Sequence, residues 1–204
     1  MAEKEGIDFE QAVRFLKEGQ VVLYPTETFY ALGTPVTAEN GIRQIAEIKN
    51  RNQAKPFPVI AGSMEQVCRY ADLPPLAEKL AEFFWPGPLS ILVRCKIPLA
   101  EEVRDKYGFT ALRLTSHPVA QALCLESQSL LLATSANFAT LPPAREPREL
   151  DAELKTRVAG CLLAPPLPAG GLPSTLVRLD EGGLSILREG SIPAQTIWDC
   201  VKKQ

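Results

Sequence analysis

Short apolar runs separated by stretches of helical period constrain this chain more than any other feature. Val21-Val22-Leu23-Tyr24 is halted by Pro25, and comparable runs lie at 57–61, 89–95, 110–114 and 130–134. Their length and flanking breakers read as buried strands. Between them the period changes. Residues 8–18 present Phe9, Ala12, Val13, Phe15 and Leu16 on one stripe, with Asp8 as cap and Gly19 as stop. Residues 38–50 place Ile42, Ile45, Ala46 and Ile48 together, and Ser63 opens a helix with a Ser-x-x-Gln capping pattern. Further helices are expected at 75–84, 117–125 and 148–158, and further strands at 161–164, 175–179 and 185–187. This alternation predicts an α/β chain: a twisted, mixed, open sheet flanked by helices. With 204 residues, no internal repeat and no linker-like stretch, one domain over 1–204 is expected.

Composition narrows the classes. Hydrophobic residues at 46% and charged residues at 23% are globular values and exclude a disordered or fibrous chain. No apolar run reaches the ~20 residues needed to span a membrane, and MAEKEGIDFEQ lacks the pattern of a secretory signal. Cys68, Cys95, Cys124, Cys161 and Cys200 are odd in number, far apart and without a CxxC pair. They argue against a disulfide framework or a structural zinc site, and for buried thiols in a reducing compartment. A cytoplasmic location is the expectation. The net charge of −2 gives no global case for nucleic-acid binding, so any anion site must be local.

Three segments carry polar groups where a ligand could use them. Thr26, Glu27, Thr28 and Tyr30 follow the first strand, where open α/β sheets bind ligands; the same residues also suit a capped turn. Residues 43–55 hold four cations (Arg43, Lys49, Arg51, Lys55) against one acid, Glu47. Fixed cations stabilise transferring phosphoryl groups, and they equally complement a helix C-terminus. Ser135 and Asn137 end another strand. No GxSxG surrounds Ser135, and neither GxxxxGK[ST] nor GxGxxG occurs. The single histidine, His117, follows a Ser116 that reads as an N-cap and precedes Pro118 as an early helical residue, so its expected role is structural.

Taken in order, YPTETFYALG (24–33), IKNRNQAKP (48–56), FWPGPLSILV (84–93), ALRLTSHPVAQAL (111–123), ATSAN (133–137), GGLPSTLVRL (170–179) and ILREGSI (186–192) resemble the YrdC/TsaC family of threonylcarbamoyl-AMP synthases. The resemblance spans nearly the whole chain and matches the single-domain form of the family. It implies a YrdC-like α/β fold with a basic cleft. It also implies a nucleotidyltransferase that makes threonylcarbamoyl-AMP and pyrophosphate from L-threonine, bicarbonate and ATP, for threonylcarbamoyl-adenosine modification of tRNA. By position, Thr26, Thr28 and Tyr30 would line the threonine pocket. Lys49, Arg51 and Lys55 would be the catalytic cations on the triphosphate. Ser135, Asn137, Ser174 and Arg188 would complete the nucleotide site, and Arg113 matches a family arginine. Mg2+ would be bound through the ATP phosphates, with no metal held by the protein itself. The implied partners are small-molecule substrates and, transiently, a threonylcarbamoyl-transferase complex, with tRNA contact weak or indirect and no membrane.

Asn52 stands where many members have proline, and Ala139-Thr140 where many have Ser-Gly. Tyr30-Ala31-Leu32-Gly33 also resembles the YciO-like branch, which usually lacks the Lys-x-Arg pair and Ser-Ala-Asn run present here. The alternatives are therefore a YciO-like paralogue with altered activity and a non-catalytic RNA-binding module. The modest charge disfavours the latter.

Overall fold

Capping chemistry sets the first helix. In this computed structural model, which describes residues 6–50, 56–139, 141–180 and 183–202, Asp8 accepts the Gln11 N–H at 2.7 Å. The Gln11 side chain takes the Asp8 N–H at 3.1 Å. This reciprocal box starts α1, Phe9–Lys17, which buries Ala12 and Leu16. The strand β1, Val22–Pro25, is buried along its whole length, as its apolar run predicts. Its continuation differs from expectation: Tyr30–Gly33 is a second buried strand, β2, paired antiparallel with β1, and the turn is confined to 26–29. The threonine-rich lead-in hides that strand in the sequence.

Helix α2, Glu39–Ile48, buries Ile42, Ile45 and Ile48, and β3, Val59–Ala61, follows. Ser63 caps α3, Met64–Tyr70, by accepting the Gln66 N–H at 3.1 Å. The Gln66 side chain does not close the expected box; it accepts the Gly62 N–H and donates to Cys124 O at 3.0 Å. Helix α4, Pro75–Phe84, starts on a proline, and β4, Leu89–Arg94, and β5, Phe109–Leu114, pair antiparallel. Helix α5, Pro118–Glu126, takes His117 rather than Ser116 as its N-cap, with no side-chain cap bond.

The expected strand at 130–134 divides into β6, Leu131–Leu132, and β7, Thr134–Ser135. Leu132 N–H goes to Thr34 O and Ala133 N–H to Pro58 O, so this segment passes from one sheet to another. The expected helix at 148–158 becomes a 3-10 turn, Pro147–Glu149, and a shorter α6, Ala152–Thr156, because Asp151 caps a new start at Leu154 N–H. Strands β8, Gly160–Cys161, β9, Thr175–Asp180, and β10, Gly183–Arg188, precede α7, Ala194–Lys202, a helix the sequence reading did not anticipate.

The mixed strands form two sheets, ordered β7-β2-β1-β8 and β10-β9-β4-β5-β3-β6. Because β1 is buried on both faces, its side chains alternate between two cores. Val22 and Tyr24 join Ala12, Leu16 and Leu123 under α1 and α5, whereas Leu23 joins the larger core with Leu32, Leu89 and Leu112. The thiols of Cys124, Cys161 and Cys200 are buried in line with expectation, but Cys68 is exposed on α3.

Candidate active site

The residues singled out in the sequence converge where the two sheets meet. A cavity of about 580 Å³ is lined by Thr26, Thr28 and Tyr30 from the hairpin, Lys49 from the end of α2, and Arg113 from β5. Ser135 and Asn137 after β7, Ser174 before β9 and Arg188 at the end of β10 complete it. Arg51 and Lys55 lie outside the described residues, as do Asn52 and Thr140. The cavity also takes in Ser90 on β4 and Asn50, which the sequence reading passed over. A serine inside an otherwise apolar strand was the available signal for Ser90. Asn50 adopts the left-handed conformation, φ 43°, at the end of α2.

On the hairpin side, Thr26 caps the turn and lines the cavity. Its hydroxyl donates to Phe29 O at 2.7 Å, closing the turn, and lies 3.3 Å from the Thr28 hydroxyl. Tyr30 is fully buried and its OH has no protein partner; burial raises its pKa. Between the threonines, Glu27 turns away to a buried ion pair with Arg113, Nε to Oε1 at 3.1 Å. Neither of those two atoms completes a hydrogen bond, so the contact is Coulombic and poorly aligned. Thr115 donates to the other Glu27 oxygen at 2.6 Å.

Opposite the hairpin, the Lys49 ammonium donates to Ser135 O (3.0 Å), Asn137 O (2.6 Å) and Asn137 Oδ1 (2.8 Å). Ser135 Oγ donates to the same Asn137 oxygen at 2.6 Å, and Asn137 Nδ2 donates to Leu141 O. Lys49 thus shapes the turn that presents Ser135 and Asn137. On the third side, the Ser90 and Ser174 hydroxyls meet at 3.0 Å. The Arg188 guanidinium donates twice to Ser174 O, at 2.8 and 3.1 Å. A register shift between Ile186 and Arg188 brings that side chain opposite Leu176. Although Arg188 keeps much surface in solvent, desolvation of its head and, second, the neighbouring Arg113 lower its pKa. Arg113, already paired with Glu27, and Arg188 both line the cavity, and a bound anion would relieve the repulsion between them.

His117 is buried, away from the cavity wall, with Nε2 at 2.9 Å from Pro166 O, in keeping with its expected structural role. Among the described residues no group of three His, Cys, Asp or Glu side chains could hold a metal ion.

The sequence model of the Sua5/YciO/YrdC family, described as telomere recombination, matches residues 14–190. The chain belongs to the Sua5/YciO/YrdC family. Its relatives in that family include a threonylcarbamoyl-AMP synthase of Aliivibrio fischeri, 33% identical over 72% of this chain and 81% of the relative. One from Xylella fastidiosa is 30% identical over 89% of this chain and 97% of the relative. A Pyrococcus abyssi synthase, 30% identical, covers 91% of this chain, which spans only 55% of that longer protein. The crystal structure of P. abyssi Sua5 complexed with L-threonine superposes with a TM-score of 0.86 at 28% identity, over 97% of this chain and 59% of that one. E. coli YciO gives 0.76 at 26% identity, over 90% and 89% of the two chains.

Proposed function

We infer that this chain is a nucleotidyltransferase that forms threonylcarbamoyl-AMP and pyrophosphate from L-threonine, bicarbonate and ATP, feeding the threonylcarbamoyl-adenosine modification of tRNA. The observation that carries the reading is the convergence of Lys49, Arg113 and Arg188 with the hydroxyls of Thr28, Ser90, Ser135 and Ser174 on one cavity. Relatives bearing that activity in their names align over most of the chain.

The chemistry needs no covalent enzyme intermediate. The threonine amine attacks the carbon of bicarbonate and water leaves. A carbamate oxygen then attacks the α-phosphorus and pyrophosphate departs. What the protein must supply is orientation and neutralisation of the charge spread over phosphate oxygens. We assign Thr26, Thr28 and Tyr30 to the threonine end, where the unpartnered Tyr30 hydroxyl awaits a ligand group. Ser135, Asn137, Ser174 and Arg188 take the nucleotide, and Lys49, Arg51 and Lys55 act on the triphosphate, with Lys49 holding the Ser135–Asn137 turn as well. In this reading the cleft is basic. Glu27, the carboxylate beside the cavity, is engaged by Arg113 and Thr115. Mg2+ supplied with ATP would be held mostly by substrate oxygens and would help neutralise phosphate charge. The reaction is cytoplasmic and the labile product passes to a threonylcarbamoyl-transferase complex.

The test is pyrophosphate release from ATP, adding each amino acid with and without bicarbonate. Release that requires threonine and bicarbonate together, with threonylcarbamoyl-AMP identified by mass, is the expected result. Folded, ATP-binding protein that releases none would overturn the synthase reading.

A further inference from the structure

The segment 165–174, rich in proline and glycine, leaves β8 and lies across the hairpin turn that carries Thr26 and Thr28. Ala169 N–H donates to Glu27 O at 3.3 Å and Gly170 N–H to Thr28 O at 2.8 Å. Its far end supplies Pro173 and Ser174 to the cavity. One segment therefore touches both the hairpin side and the Ser174–Arg188 side. Its near end is held by His117, whose Nε2 reaches Pro166 O at 2.9 Å.

These contacts close a circuit. Thr115 Oγ1 donates to Glu27 Oε2 at 2.6 Å and accepts the His117 N–H at 3.3 Å. From His117 the path crosses to Pro166, runs along the segment to Ala169 and returns to the Glu27 carbonyl. The Glu27 side chain is held by Arg113 on β5 and Thr115 just after it, and the Glu27 and Thr28 carbonyls by two amides of the segment. A carbonyl such as that of Pro166 accepts only, so Nε2 must carry the proton. His117 Nδ1 is buried with no partner, which is the state of a neutral ring protonated on Nε2.

We propose that His117 is a positioning residue for the amino-acid end of the cavity. Its Nε2–H holds segment 165–174 against Glu27 and Thr28, and so fixes the backbone of Thr28 and the direction of its hydroxyl. The inference rests on the assignment of Thr28 to threonine. His117 touches no substrate and holds the Pro166 end of the segment, beside Glu27 and Thr28, while Arg188 holds Ser174 at the other end, so its loss should act mainly on threonine.

His117→Gln keeps a donor near Nε2, and His117→Phe keeps a ring without one. Losing a single buried hydrogen bond predicts a threonine KM about tenfold higher in the Phe variant, with the ATP KM and kcat within about twofold. The Gln variant should stay within about threefold of wild type in all three. Exchange of the Ala169 and Gly170 amides should accelerate in the Phe variant while amides of β4 remain unchanged. Folded Phe and Gln variants with the same threonine KM and the same amide exchange would sink the proposal. Should the Phe variant not fold, the wild-type ring decides. The chain has one histidine, and 15N NMR that finds its proton on Nδ1 rather than Nε2 would overturn the anchor. Wild-type protein that fails to bind threonine would refute the substrate reading instead, and the tautomer and amide exchange would still report on the anchor.

Discussion

Glu27 and Arg113 show how much a residue's role depends on what surrounds it. Both side chains are nearly buried, at 12% and 7% exposed, and each charge is tolerable only beside the other. Removing one partner of such a pair costs about 3–5 kcal/mol because the survivor is left uncompensated. Glu27→Gln is therefore expected to destabilise the protein by about that much, while Glu27→Gln with Arg113→Met costs less than the two single changes added together. A double-mutant cycle on denaturant midpoints measures it. Lys49 is a comparable case, because the side chain proposed to meet the triphosphate also holds the Ser135–Asn137 turn. Lys49→Met removes the ammonium from three acceptors on the Ser135–Asn137 turn, of which Asn137 Oδ1 keeps the Ser135 hydroxyl as donor. It should lower stability by about 2 kcal/mol and weaken ATP binding, read by calorimetry. Unchanged ATP affinity in a folded variant would remove Lys49 from the nucleotide site. Thr26, Thr28, Ser135 and Asn137 stand out in the sequence because they follow strand ends, and Lys49 because cations cluster at the end of a helix; Arg113, Ser174 and Arg188 come from the family resemblance. Their division of labour is not legible there, since nothing in the spacing of Glu27 and Arg113 predicts that they meet.

At the scale of elements, the hairpin of β1 and β2 depends on close approach at one glycine. A Cβ at Gly33 would overlap the Leu132 carbonyl oxygen and the Tyr24 ring, and Tyr24 donates to that same carbonyl at 2.6 Å. Backbone cannot yield as a flexible side chain can. Gly33→Ala is expected to cost on the order of 1–3 kcal/mol and to loosen the turn bearing Thr26 and Thr28; urea unfolding alongside threonine titration checks both. Helices with a local signal, such as α1 with its Asp8 cap or α4 behind Pro75, match the sequence reading within a residue or two. Elements that depend on a neighbour do not. Strand β2 exists because β1 and β7 flank it, and the run at 130–134 is divided because two sheets compete for its amides.

For the whole molecule, the pH dependence of stability should carry the signature of His117. Burial, the largest effect, lowers its pKa below the ordinary value near 6.5, against the opposing pull of the Pro166 carbonyl and of Glu27. The unfolded chain then binds the proton more readily than the fold does. Stability contributed by the neutral ring is complete above the ordinary value and is lost as pH falls through it toward the folded value. Denaturant midpoints of wild type should drop over that window more than those of His117→Gln; parallel profiles would contradict the assignment. Periodicity, breakers and caps in the sequence determined the α/β class and most helices, because those signals act over a few neighbours along the chain. Only the tertiary structure decided that the strands divide into two sheets, that Ser90 and Asn50 join the cavity, and that a lone histidine anchors segment 165–174. Those outcomes depend on contacts between residues far apart in the chain, such as Lys49 with Asn137 and His117 with Pro166. Such pairings are fixed by packing, not by local pattern.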